Sequence, residues 1–263
     1  MENYKNVLLG TNLFSDDWTA TINNINKNNI IITDFSNINN LHNIIITKNI
    51  SYIIPLSDKD NNLITNNKLQ LSNNIKILYP VKKTQYLLHN KVLFTEFMLK
   101  YFNEFIPDVY FLNNKKIKDI EYPAIYKPTY STNGKNMIII YNHQDLLQLK
   151  NKNIIQKFIE DQYEYSAYML CIDGIIINYK IIRYKFKMYH IKTSNFPIDY
   201  ENVTDFNIDI FSNIIIKLNY SGGINFNFKF NDIANKLYIF EINPRFGGSA
   251  FTCNFIYELL CIT

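Results

Sequence analysis

Along the first 80 positions apolar residues fall in short runs separated by polar stretches. Residues 7–9, 30–33, 44–46, 52–54 and 75–79 each have the length of a buried strand. Short polar segments with helical spacing lie between them. Strands alternating with helices predict a small α/β layer built on a mainly parallel sheet. From residue 91 to 105 the period changes. Val92, Phe94, Phe97, Met98, Tyr101, Phe102 and Phe105 make a broad apolar helical face, and Pro107 ends it. Residues 108–121 read as a connector.

A second pattern opens at Tyr122-Pro-Ala-Ile-Tyr-Lys-Pro128. Strand-like runs recur at 137–141, 154–159, 165–172 and 175–184, with Asp173-Gly174 as a hairpin turn between the last two. Phe206, Ile210, Phe211, Ile214 and Leu218 fit a helix. Gly222-Gly223 then precedes strands at 224–230 and 237–242, joined by a turn over 231–235, and the chain from Gly248 onward reads as helical. This half predicts antiparallel sheet with helices, an α+β arrangement.

The chain has 263 residues, enough for one or two small domains, and 47% are apolar, enough for a sizeable core. Asn, Ile, Lys and Tyr are abundant, which reflects A/T-rich codons before it reflects chemistry. The net charge of +4 comes without long Lys/Arg clusters, so a nucleic-acid partner is not expected. Cys171, Cys253 and Cys261 form no CxxC pair, which argues against a zinc site and for a reducing compartment. No run is long and apolar enough to span a membrane and no signal peptide is indicated, so a cytoplasmic location is expected. The turn after the first strand, Gly10-Thr-Asn-Leu-Phe-Ser-Asp, lacks the spacing of a dinucleotide fingerprint.

The chemistry concentrates at Tyr238-Ile-Phe-Glu-Ile-Asn-Pro-Arg-Phe-Gly-Gly-Ser249. Period two puts Glu241 and Asn243 on one face of a strand. Pro244 stops the ladder and Arg245 follows. A carboxylate, an amide oxygen and a guanidinium brought close together suit Mg²⁺ and phosphate. Asn225 and Asn227 share a face of the preceding strand, and a hairpin would set Asn227 beside Glu241. Lys127 ends a strand, where it can hold phosphate or simply discourage edge pairing. The Ser131–Lys135 stretch, with Gly134, can turn N–H groups toward phosphate or can be an ordinary hairpin loop. Gln156-Lys157-Phe158-Ile159 closes a strand whose backbone can meet a flat heterocycle, and Glu164 can meet ribose hydroxyls. An acidic turn between two strands fits the same residues. Arg183, Lys185 and Lys187 alternate along a strand, as substrate contacts or as a solvated basic edge.

Taken in order, these motifs resemble the ATP-grasp superfamily, in its carbamoyl-phosphate synthetase-like, carboxylate–amine ligase style. The resemblance runs from about residue 77 to 255. Its most specific parts are Gly222-Gly-Ile-Asn-Phe-Asn-Phe228 and Phe240-Glu-Ile-Asn-Pro-Arg-Phe-Gly-Gly-Ser249. It implies an ATP-grasp fold, two small α+β subdomains clasping ATP, over residues 81–263, with a lid at about 122–160. Residues 1–80 would be a small α/β pre-ATP-grasp domain. It implies ATP and Mg²⁺ (or Mn²⁺) as cofactors, with small-molecule carboxylate and amine substrates, and a homodimer is compatible with it. By the same resemblance Lys91, Lys127, Ser131 and Gly134 meet the ATP phosphates. Gln156, Lys157, Phe158 and Ile159 meet adenine and Glu164 meets ribose. Asn227, Glu241 and Asn243 ligate the metal, and Arg245 with Lys127 steadies the transferred phosphoryl group. The activity implied is ligation through an acyl phosphate. The single Gly in the phosphate loop and the neutral Asn227 at a position that is acidic or Gln in many relatives leave a second expectation, a degenerate nucleotide-binding protein with a regulatory role.

Overall fold

Runs of β-branched and aromatic residues, bounded by Asn-rich turns, assemble three sheets. The structure, a computed structural model, describes residues 6–10, 30–33, 38–55, 60, 64, 75–131, 134–188, 197–231, 236–246 and 259. The first sheet is parallel. It is made from β1 (Asn6–Gly10), β2 (Ile30–Thr33), β3 (Ile50–Ile54) and β4 (Lys76–Ile77), in the order β2-β1-β3-β4. Parallel neighbours need a crossover, and helix α1 (Ile38–Thr47) stands between β2 and β3. Residues 44–46, expected as a strand, lie inside this helix. Leu41 and Ile45, four residues apart, are buried with Ile50 and Ile53, whereas Ile46 is 65% exposed. A three-residue apolar run does not by itself separate the two periods.

Helices α2 (Lys82–His89) and α3 (Lys91–Tyr101) follow, with Asn90 between them. Asn90 Oδ1 accepts from the N–H groups of Val92 and Leu93, both at 3.1 Å, and so caps α3. The stretch expected as one helix to residue 105 breaks at Phe102, which is non-helical, and continues as the 3₁₀ turn Asn103–Phe105.

The second sheet is antiparallel and small. Its strands are β5 (Val109–Leu112), β6 (Lys115–Lys116), β7 (Ala124–Lys127), β8 (Ile138–Ile140) and β9 (Ile154–Lys157), in the order β6-β5-β9-β7-β8. The expected connector over 108–121 therefore contains a hairpin. Its turn is Asn113-Asn114, at φ 49° and 65°, and two left-handed residues are what a tight hairpin needs. Helix α4 (His143–Leu147) covers this sheet.

The third sheet is antiparallel and larger. It contains β10 (Tyr163–Ile172), β11 (Ile175–Lys185), β12 (Asp199–Val203), β13 (Gly222–Asn231) and β14 (Lys236–Asn243), in the order β12-β11-β10-β13-β14. Helix α5 (Asp209–Leu218) joins β12 to β13 and buries Phe211, Ile214 and Ile215. The expected Asp173-Gly174 turn forms, with φ 50° and 82°. Strand β12 was not legible, because its residues Asp199, Tyr200, Glu201 and Asn202 are exposed at the sheet edge and carry no apolar alternation. The turn residues 232–235 lie outside the described residues, as does the helix expected from Gly248, apart from Leu259.

One core locks the two antiparallel sheets together. Val109, Leu112 and Ile154 of the small sheet join Ala167, Met169, Ile224, Phe226 and Phe228 of the large one, with Val92, Phe94 and Met98 from α3. The opposite face of the small sheet has its own cluster of Tyr110, Ala124, Ile140, Leu146 and Ile155. Because strand faces alternate, this arrangement presents the carboxyl end of β7 to β14. At Gly222 (φ 118°) an added Cβ would lie 2.9 Å from the Leu78 carbonyl oxygen, so only glycine lets β13 begin against the segment after β4.

Candidate functional site

The β13–β14 register sets Asn225 opposite Asn243 and Asn227 opposite Glu241. The pairing expected from period two therefore exists, with a bulge between Asn227 and Phe228. Both oxygens of Glu241 have partners: Lys91 Nζ donates to Oε1 at 2.5 Å and Asn227 Nδ2 donates to Oε2 at 3.2 Å. Asn227 Oδ1 accepts from Ser166 Oγ at 2.9 Å and from Asn225 Nδ2 at 3.1 Å. Ser166 lies opposite Asn227 on β10. The network assigns the amide orientation: Asn227 turns its NH₂ toward Glu241 and its oxygen away. Asn225 is 4% exposed, and its Oδ1 is buried with no hydrogen-bond partner among the described residues.

Lys91 and Lys127 reach this point from different elements. Lys91 is the first residue of α3, and its backbone N–H donates to the Thr129 carbonyl at 2.9 Å. Asn90 Nδ2 donates to Tyr130 Oη at 3.0 Å, so the exit of β7 is tied to the start of α3. Lys127 is buried at the end of β7, with Nζ 3.4 Å from the Phe240 carbonyl oxygen and 5.6 Å from the Phe240 ring centre. Burial, and then the neighbouring charge of Lys91, pull the Lys127 ammonium down to about 7, against the opposing pull of Glu241 and Glu164. For Glu241, burial is the largest single influence and works against its charge. Lys91, the hydrogen bonds from Lys91 and Asn227, and Lys127 together outweigh it and hold the carboxyl below the usual range. Two lysine side chains thus share the field of one carboxylate, and burial together with the charge of Lys91 leaves the second of them, Lys127, only partly charged near neutral pH.

The remaining expected positions have other neighbours. Gln156 is 2% exposed in the central strand of the small sheet, between Val109 and Ile125. Lys157 sends its ammonium to the exposed side, 3.5 Å from Glu121. Phe158 is buried, and its N–H donates to the Pro123 carbonyl at 3.1 Å. Glu164 on β10 is half-buried, and its charge reaches both Lys127 and Lys229. The Ser131 hydroxyl is buried without a partner among the described residues, and Gly134 has φ 64°. Residues 132–133 of that loop lie outside the described residues. Arg245 Nη1 donates to the Phe246 carbonyl at 3.2 Å. Phe246 is 2% exposed and its ring lies over Gly223, where an added Cβ would come within 2.7 Å of it. Gly223 therefore seats the turn that carries Arg245. Arg183 is engaged elsewhere, with Glu201 at 2.5 Å and the Tyr163 ring at 4.8 Å.

Sequence reasoning passed over Lys229 and Ser166. Lys229 is 5% exposed, and Nζ donates to the carbonyls of Ile159 at 3.0 Å and Asp161 at 2.8 Å. Burial pulls its ammonium below the usual lysine value. It thereby ties the β9–β10 link to β13. The available signal was Asn225-x-Asn227-x-Lys229, three polar side chains on one face of an otherwise apolar strand.

The chemistry of these side chains fits a hard cation that arrives with an anionic ligand. Among the described residues no group of three His, Cys, Asp or Glu side chains forms a self-sufficient metal cage. One carboxylate, the Asn243 amide across from Asn225, and the orphaned Asn225 oxygen are oxygen donors of the kind Mg²⁺ takes alongside phosphates. Burial pushes the Cys171 thiol up, which removes it as a nucleophile.

Comparison with known proteins bears on the family and the fold. A family model described as "ATP-grasp domain" matches residues 88–249. The carbamoyl phosphate synthase large chain of Methanobrevibacter smithii is 24% identical over 210 residues, covering 69% of this chain and 19% of that protein. The chain thus spans about a fifth of the length of that relative. Among solved structures, biotin carboxylase from Campylobacter jejuni superposes with a TM-score of 0.60 at 14% identity, over 98% of this chain and 70% of that one. D-alanine–D-alanine ligase from Bacillus anthracis, solved with ATP, gives 0.52 at 15% identity, over 98% and 95%. At such identities these structures speak for the fold.

Proposed function

This chain belongs to the ATP-grasp domain family, and on that premise we propose that it is an ATP- and Mg²⁺-dependent ligase joining a carboxylate to an amine or similar nucleophile. The observation that carries the reading is the cluster of Lys91, Lys127 and Glu241 where the small sheet meets the large one. The charge of Lys127 that burial and Lys91 suppress would be restored by a nucleotide's phosphates, which both lysines could then hold. In this reading residues 1–80 form the pre-ATP-grasp unit, 81–263 the grasp, and about 122–160 its lid.

Each group then has a task. Lys91 and Lys127 hold phosphate oxygens as point charges. Arg245, on the turn seated by Gly223, steadies the phosphoryl group in flight. The backbone at Gln156–Ile159 meets the base and Glu164 the ribose. Glu241 and Asn243 would hold Mg²⁺ (or Mn²⁺), which when bound supplies charge neutralisation across the phosphates. A substrate carboxylate oxygen attacks the γ-phosphorus. The bond from that phosphorus to the bridging oxygen breaks, and ADP leaves. The amine nitrogen attacks the acyl carbon, phosphate departs with the bonding pair, and the amine proton passes to solvent. Such transfers depend on positioning and electrostatics, so the lack of a histidine among the assigned residues is consistent with the scheme.

A nucleotide-binding protein without turnover is the second reading. It is favoured by the partners already present on both Glu241 oxygens, and by the neutral amide at position 227. The test is ADP release over a panel of carboxylates with hydroxylamine as trap. ADP with hydroxamate supports the ligase. ADP without hydroxamate overturns the acyl phosphate, and tight nucleotide binding without ADP under any condition supports the second reading.

A further inference from the structure

Resting on the nucleotide reading above, we propose that Lys229 is a positioning residue for the purine base, which sets base selectivity by holding the β9–β10 link in one conformation. Strand β9 ends at Lys157 and β10 begins at Tyr163, so the residues between them have no ladder to satisfy their backbone groups. Lys229 enters this gap from β13. Its ammonium donates to the carbonyls of Ile159 at 3.0 Å and Asp161 at 2.8 Å, with Glu160 between them. Two hydrogen bonds from one charged donor, each stronger than its neutral equivalent, fix the path of three consecutive residues.

The link is fastened from other directions as well. Phe158 N–H donates to the Pro123 carbonyl at 3.1 Å, Tyr163 N–H to Asp161 Oδ1 at 2.9 Å, and Phe186 N–H to the Gln162 carbonyl at 2.8 Å. Lys229 supplies the hold from β13. A lysine is almost never so fully buried unless it is paired, and this one is 5% exposed on an otherwise apolar strand, in the field of Glu164, Asp161 and Glu160. Its place gives the expense a use. Ile159 is the last residue of the segment whose backbone meets the base in the proposed reading. Glu164, the ribose partner in that reading, lies one step along β10 from Tyr165, which pairs with Phe228, and so falls beside Lys229. Lys229 therefore stands between the two groups that would read the nucleoside, whereas Lys91 and Lys127 gather at Glu241. Without the ammonium, the Ile159 and Asp161 carbonyls lose their donor and the edge offered to the base is no longer set.

Base selectivity tests this in the full chain. Affinities for non-hydrolysable ATP and GTP analogues, each with Mg²⁺, are compared between wild type and Lys229→Met, which keeps the apolar stem and removes the charge. Loss of hydrogen bonds from a charged donor should weaken the ATP analogue about tenfold and lower the ATP-to-GTP affinity ratio about fivefold or more. A purely structural lysine would weaken both analogues equally, so an unchanged ratio overturns the proposal. Hydrogen exchange on wild type gives a measure that does not depend on the variant folding. The ATP analogue is expected to slow exchange over residues 158–162 more than the GTP analogue does, and equal exchange with the two overturns the proposal. Wild type that binds neither analogue overturns the functional reading itself, whereas tight binding with a ratio indifferent to Lys229→Met removes only the role given to Lys229.

Discussion

The two antiparallel sheets build their shares of the site by different means. The large sheet delivers Asn225, Asn227, Glu241 and Asn243 through the register of a single hairpin, reinforced by Ser166 on the next strand. The small sheet delivers Lys127 to this cluster by docking: its ammonium meets β14 at the Phe240 carbonyl, 113 positions away in sequence. Lys91 is brought by neither sheet but by the start of α3, 150 positions from its partner Glu241. The acidic end of the site is thus a local product of strand pairing, and the cationic end exists only when separate elements pack correctly. Disturbing the hairpin should remove the carboxylate and its orientation. Disturbing the docking should leave the hairpin intact and change the charge balance.

The largest effect is expected from Glu241→Gln, which attacks both regions at once. Lys91, with its side chain 9% exposed, would lose its counter-charge. Breaking such a pair costs about 3–5 kcal/mol, readable as a lower urea midpoint. ATP-dependent product formation should fall by about a hundredfold or more, as when a key electrostatic group is removed. Unchanged stability would mean that Lys91 is not held by this carboxylate.

Gly223→Ala attacks the large sheet alone. The new methyl would meet the buried Phe246 ring at 2.7 Å, and overpacking of this kind costs about 1–3 kcal/mol. Because Phe246 adjoins Arg245, turnover should fall more than nucleotide affinity does, a split that steady-state kinetics and analogue binding would separate. Equal losses in both would place Arg245 outside the phosphoryl-transfer step.

The docking side is sharpened by pH. The Lys127 ammonium lies near 7 in the folded protein against 10.5 as a free side chain, so between those values the unfolded chain binds more protons. Stability must then rise with pH across that window on account of this group, and its full penalty is present below about 7. Lys127→Met should flatten that rise while Lys229, whose ammonium is also depressed, contributes equally in both proteins. Urea midpoints for the two proteins at pH 6.5–10 give the comparison. Parallel curves would show that the Lys127 ammonium is not depressed in the folded protein.

The smallest effect is expected at Lys76→Ala. Its ion pair with Asp173, at 3.2 Å, links the parallel sheet to the β10–β11 turn, but the two side chains are 55% and 72% exposed. Such pairs contribute about 0–1 kcal/mol, and a calorimetric melt should barely move. A large drop would show that the parallel sheet leans on this contact to stay beside the large one.

Most strands were legible because their apolar runs are bounded by turn residues, as at Asp173-Gly174. Where the run was ambiguous or absent, legibility failed. The three isoleucines at 44–46 fit either period until the parallel sheet demanded a crossover helix. The Asn113-Asn114 turn was hidden in a chain where Asn is common everywhere. Edge strand β12 carries no apolar pattern because it buries almost nothing.

For the candidate site, the amino-acid order alone determined which side chains share a face: alternation along β13 and β14 is a property of the backbone and needs no tertiary context. It could not determine which atom of each amide points inward, since that depends on donors from other strands, such as Ser166. Nor could it show that Lys91 and Lys127 converge on Glu241, or that Lys229 is buried against the carbonyls of Ile159 and Asp161. Those facts arise from long-range packing, in which the burial of a charge and the identity of its nearest neighbour are set by elements far apart in the chain.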